Sequence, residues 1–201
     1  MIQPPSLQKG DKVAIIATAR CISEADLKPA IQLLKSWQLI PILGFSIGLQ
    51  DHQFAGTDAE RAEDLQRQIK DSGIKAIWCA KGGYGSIRIL DLVDFSSLHH
   101  HPKWIIGYSD ITAIHLHLQS MGLSSLHAQM ASHIELKSKS TSDELKKVLF
   151  GNKLQIEYGS KHPNQVNGEV TAEIIGGNLS VLYSAIGSQS MPNFEGKILF
   201  L

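Results

Sequence analysis

Apolar positions in the first two-thirds of the chain follow two alternating rhythms. Short unbroken runs of Val, Ile, Leu and Trp alternate with longer segments whose apolar residues recur every third or fourth position. Unbroken runs suit strands covered on both faces, and the longer period suits amphipathic helices, so their alternation predicts a parallel sheet with crossover helices. Five strands are expected: Lys12 to Thr18, Leu39 to Leu43, Ile74 to Ala80, Trp104 to Tyr108, and a short one near Ser124 to His127. Between the first two, Leu27, Ile31 and Leu34 share a helical face that Ser23 is placed to cap. Between the next two, Thr57 and Glu60 form a capping box ahead of Ala62, Leu65 and Ile69. Ile111, Ile114, Leu118 and Met121 predict a third helix, which Gly122 ends. The expected class is α/β, with a doubly wound, mostly parallel sheet of flavodoxin-like or Rossmann-like type.

Thr141 and Glu144 read as another capping box, and beyond them the pattern loosens into a stretch punctuated by Gly, Pro and Asn. This divides the chain into an α/β domain over 1–150, a linker over 151–167, and the opening of a second α/β unit over 168–201. That unit reads as strand, glycine turn and helix, then the apolar strand GKILFL. A strand of Ile198, Leu199, Phe200 and Leu201 needs covering layers, so the second unit is expected to be incomplete.

Charge narrows the partners. Lys and Arg number 19 against 19 acids, which leaves no excess to steer the molecule toward nucleic acid or an anionic membrane. A small molecule or peptide is the expected partner, and self-association into a homodimer is left open. Cys21 and Cys79 lack the paired spacing of a zinc site and read as reduced thiols. The first residues lack the pattern of a secretory signal, and no apolar stretch approaches a membrane span, so the expected location is the cytoplasm.

Chemistry concentrates at two turns. In WIIGYSDITAI an apolar strand runs through Gly107, Tyr108, Ser109 and Asp110 directly into a helix. A serine there projects its hydroxyl above the sheet edge, and the following N–H groups face developing negative charge, as an acyl-transfer nucleophile requires. The same residue type is also an ordinary helix N-cap, and taken alone the segment favours that reading. In Ala80-Lys81-Gly82-Gly83-Tyr84-Gly85-Ser86 the glycines allow close backbone approach and an anion-binding concavity. A phosphate cradle or a merely tight turn are the alternatives, although neither nucleotide-binding glycine spacing is present.

These two turns, with KGDKVAIIATA, FAGTDAERAEDL, GGNLSVL and MPNFEGKILFL, resemble the LD-carboxypeptidase family, which includes the microcin immunity peptidases. The resemblance implies a metal-free, cofactor-free serine peptidase using a Ser-His-Glu triad. It would cut the bond between an L-centre and a terminal D-amino acid, the D-alanine of murein tetrapeptides in cell-wall peptide recycling. By that resemblance Ser109 is the nucleophile, and the backbone N–H groups of Asp110 and Gly83 are oxyanion donors. Gly82, Tyr84, Tyr108 and His127 are candidates to line the substrate site. A side chain at Gly83 is expected to disable such an enzyme more than it unfolds it.

Three departures from the family pattern stand out. Lys81 replaces an arginine, and His127-Ala128-Gln129 stands where the family has His-Gly-Pro. The triad glutamate and histidine belong to positions that residues 1–201 do not include, so this polypeptide alone is expected to be inactive or nearly so. The rival reading is a non-catalytic α/β module that binds a small anion at the two turns. Other signals carry less: His115 and His117 read as packing residues, His99 to His101 as a solvated turn, and Trp78 and Trp104 as core.

Overall fold

The structure, a computed structural model, describes residues 1–157, 159, 162–166 and 168–201. The expected linker over 151–167 therefore falls partly outside the described residues. Five parallel strands form the main sheet: β1 (Lys12–Ile16), β2 (Ile40–Leu43), β3 (Ile74–Cys79), β4 (Trp104–Gly107) and β5 (Leu126–His127). Their spatial order is β2-β1-β3-β4-β5, the doubly wound order in which strand direction of travel reverses at β1. Pro41 lies in β2, which is an edge strand, where a missing N–H costs no ladder bond.

Two layers cover this sheet. Helices α1 (Lys28–Ser36) and α5 (Lys139–Leu149) lie on one face, where Leu34, Leu145 and Leu149 join Ile15, Trp78 and Trp104 in one core. Helices α2 (Asp58–Lys70), α3 (Ser86–Ile89) and α4 (Thr112–Ser120) lie on the other, with Leu65, Ile69 and Ile114 against Ile77 and Ile105. Two of the three buried tryptophans place their indole N–H on backbone carbonyls, Trp78 on Gln129 at 2.8 Å and Trp104 on Pro5 at 3.0 Å.

Local signals set the helix ends. Thr57 and Glu60 close the capping box reciprocally, and Ser23 accepts from Asp26 N–H at the start of the 3-10 turn that leads into α1. Helix α4 ends at Gly122, whose φ of +76° suits a glycine that follows a helix. One boundary differs from expectation. Helix α5 starts two residues before Thr141, capped by Ser138, whose hydroxyl accepts the Thr141 N–H at 3.4 Å. Both serine and threonine can cap, and the earlier residue adds most of another turn to the helix.

A second unit rests on α4. Strands β6 (Ile174–Gly176) and β7 (Ile198–Phe200) pair in parallel, joined through α6 (Leu179–Ala185). Leu182 and Ala185 of α6 pack on Leu116 of α4. The glycine turn after β6 seats directly on Thr112. A methyl group on Gly177 would lie 2.6 Å from the Thr112 hydroxyl oxygen, and that oxygen accepts the Asn178 N–H at 3.0 Å. No helix among the described residues is long and apolar enough to cross a membrane.

Candidate active site

Because β3 and β4 are neighbouring parallel strands, the turns that follow them lie at the same edge of the sheet, beside the point where strand order reverses. Ser109 follows β4 with a φ of +58° and is half-buried. Left-handed backbone is uncommon for serine and costs about 1–2 kcal/mol. An N-cap residue takes extended backbone, so this torsion rules out the ordinary cap reading; Tyr108, at φ −150°, holds that position instead. Among the described residues nothing hydrogen-bonds to the Ser109 hydroxyl.

Asp110 ties the two turns together. Its buried carboxylate accepts the Ser86 N–H at 3.0 Å, across from the end of the glycine turn. A methyl group on Gly82 would lie 3.4 Å from the Asp110 Cβ, so the gap between the turns there would hold little more than a methyl group. The N–H groups of Gly83 and Asp110 have no acceptor among the described residues. Free N–H groups next to a strained serine are what an oxyanion hole requires.

Gly83 has a φ of +113°, and a methyl group there would come within 2.6 Å of the Arg20 side chain. That torsion strains any L residue, whatever the space around it. A valine at Gly83 would therefore damage folding together with function, and the expected separation of the two losses does not hold.

Behind the glycine turn stands a cation that the sequence reading did not single out. Arg61 of α2 is fully buried and donates to Thr18 O at 2.7 Å and to Gly85 O at 3.1 Å. It also pairs with Asp58, which Arg88 grips through two of its nitrogens. Arg88 first, and then Arg61, hold the Asp58 carboxyl below its usual range, while burial pulls Arg61 downward. Both guanidinium groups lie over the Phe54 ring, Arg61 at 4.9 Å and Arg88 at 5.1 Å from its centroid. The Tyr84 ring meets Phe54 at 6.2 Å between centroids. Asp64 and Gln68 are buried with Arg61 along α2.

On the other flank, Tyr108 meets His127 edge-on at 6.3 Å, and His127 also touches the rings of His115 and Phe200. His127 is exposed at the end of β5, so it is not a core histidine. His115 is fully occupied. One ring nitrogen meets Gly107 O at 2.9 Å, the other meets the Ser125 hydroxyl at 2.7 Å, and burial pulls its pKa down to about 4. It has no free nitrogen with which to serve Ser109. His117 points away, against Phe95 and the Ser190 hydroxyl. Among the described residues no cluster of His, Cys, Asp and Glu could hold a metal ion.

The fold and these turns together define a doubly wound α/β protein with a serine at positive φ and a glycine-rich turn side by side at one edge of its sheet. The LD-carboxypeptidase N-terminal domain model matches residues 13–128 and the LD-carboxypeptidase C-terminal domain model matches residues 171–201. The chain belongs to the LD-carboxypeptidase family. It is 35% identical to a probable murein peptide carboxypeptidase of Bacillus subtilis, across 99% of this chain and 64% of that protein. A putative carboxypeptidase of Streptomyces coelicolor is 32% identical, across 100% of this chain and 67% of that protein. Among solved structures, a muramoyltetrapeptide carboxypeptidase of Oxalobacter formigenes superposes with a TM-score of 0.85 at 26% identity, covering 94% of this chain and 64% of that one. The chain thus spans about two-thirds of the length of these relatives.

Proposed function

We propose that this polypeptide carries the nucleophile of a serine-type carboxypeptidase that releases a terminal D-amino acid from a murein peptide. The observation that supports it most is Ser109, held at positive φ beside a glycine turn, with neither its hydroxyl nor the Gly83 N–H hydrogen-bonded among the described residues. In this scheme Ser109 Oγ attacks the scissile carbonyl, and the N–H groups of Gly83 and Asp110 receive the negative charge that forms on its oxygen. Asp110 positions both turns through its carboxylate while its own N–H remains available. Tyr108 and His127, whose rings meet edge-on, are assigned to the substrate site together with Gly82 and Tyr84 of the glycine turn.

In this scheme proton transfer falls to the His-Glu pair of the family pattern. The name of the Bacillus relative and that of the Oxalobacter structure support a peptide substrate drawn from murein. A cytoplasmic location belongs to the same reading and is supported by two unpaired cysteines, of which Cys79 is buried with its thiol pushed up to about 12.

Release of D-alanine from an L-Ala-γ-D-Glu-diaminopimelate-D-Ala tetrapeptide, followed by mass spectrometry, tests the proposal. The expected result is turnover in a polypeptide that supplies the His-Glu pair, abolished by Ser109→Ala, with little or none from residues 1–201 alone. Binding of the tetrapeptide without cleavage in the longer polypeptide would favour an anion-binding module instead. Robust Ser109-dependent cleavage by residues 1–201 would place the base within them.

A further inference from the structure

An enzyme that removes a single C-terminal residue must tell a chain end from a chain interior. What distinguishes the end is a free carboxylate. Three bonds separate that carboxylate carbon from the scissile carbonyl carbon, a span of under about 4 Å by standard backbone dimensions. A cation that anchors it must therefore flank an oxyanion donor directly.

Arg20 occupies such a place. Its Cδ and Nε both lie 2.6 Å from where a Cβ on Gly83 would stand, so the side chain crosses the open face of that glycine. The backbone beneath it is pinned on both sides: Ala19 O accepts the Ala55 N–H and Cys21 N–H donates to Gln53 O, each at 3.0 Å. Arg20 itself is exposed, and among the described residues its guanidinium has no carboxylate and no hydrogen-bond partner. The other arginines near this turn are committed, Arg61 and Arg88 both to Asp58. Lys81, the remaining nearby cation, directs its ammonium to Cys21 O at 3.4 Å.

We propose that Arg20 determines specificity by receiving the free carboxylate of the substrate's terminal residue, its guanidinium standing beside the Gly83 oxyanion donor. The proposal rests on the carboxypeptidase reading above and adds the group that would restrict the site to chain ends. A planar guanidinium suits a carboxylate, which it can grip with two parallel hydrogen bonds. A glycine at position 83 is then needed twice, for its torsion and for the arginine that lies across it.

Equilibrium binding to the Ser109→Ala polypeptide tests this without any need for turnover. The probes are the tetrapeptide ending in D-Ala as the free acid and the same peptide as its C-terminal carboxamide. The acid should bind more tightly than the amide by about 10- to 100-fold, as expected for a charge-assisted hydrogen bond. Arg20→Gln should abolish that preference by weakening only the acid, and Arg20→Lys should retain part of it. A preference undiminished in Arg20→Gln, in a protein that melts like its parent, would overturn the role of Arg20 and leave the carboxypeptidase reading standing. Failure of both peptides to bind the parent polypeptide would remove that reading, and this proposal with it.

Discussion

At Ser109 reactivity and comfort are opposed. Glycine adopts φ of +58° without steric penalty, yet its greater freedom in the unfolded chain offsets much of that gain. Ser109→Gly should therefore change unfolding free energy by only about 0–1 kcal/mol in the stabilising direction while removing the nucleophile. Ser109→Val should destabilise by more than about 1 kcal/mol, since a β-branched side chain tolerates this torsion poorly. Urea unfolding of the two variants measures both. His115 makes a prediction of a different kind. The unfolded imidazole takes up a proton near pH 6.5, whereas the folded one resists until about pH 4. The unfolded state binds more protons in that window, so stability should fall by roughly 3 kcal/mol as pH drops through it and hold steady above it. His115→Gln should flatten most of this slope in pH-dependent melting. His117 and His127, which burial also holds low, would leave the remainder. The sequence showed that a serine stood at a strand-to-helix turn. It could not show the sign of φ, which follows from how β4 and α4 pack and is not a property of any one residue.

Elements whose ends carry their own side-chain bonds were legible from the chain alone. Thr57 and Glu60 announce α2 because both halves of the capping box are local. The start of α5 was less legible, because Ser138 and Thr141 are both capping residues and only the backbone torsions separate them. Least legible was the inner face of α2. An arginine within AERAED reads as solvated, since charge is rarely fully buried, and only the carbonyls of Thr18 and Gly85 explain it. Its removal would strand those carbonyls and leave Asp58 without its buried partner. Arg61→Ala should cost about 3–5 kcal/mol, and amide exchange at Gly83 to Ser86 should quicken as the glycine turn loosens. Arg88→Ala, on the solvent side of the same carboxylate, should leave both nearly unchanged. Equal effects from the two arginines would argue against a buttress specific to Arg61.

For the molecule as a whole, alternation of apolar runs with helical segments was enough to foresee five parallel strands covered on both faces. Strand order was not, because it depends on which helix crosses which face, and that is decided by long-range packing. The contact of the second unit with α4 was equally hidden. Thr112 is buried and holds the Asn178 N–H, a bond that joins residues 66 positions apart. Thr112→Val keeps the shape and removes the acceptor, so it should cost about 1–3 kcal/mol. Limited proteolysis should then cut more readily around 174–190 while β1 to β5 stay protected. Loss of protection throughout would mean that the two units fold as one. The confinement of both turns to one edge of the sheet also gives the molecule a handling side. The loop ahead of β4, with His99, His100 and His101 exposed in succession, opens at the other edge. A fluorophore, bead or resin attached there would hold the protein with its reactive edge turned outward, and randomised libraries could be grafted into that loop without altering what Ser109 meets.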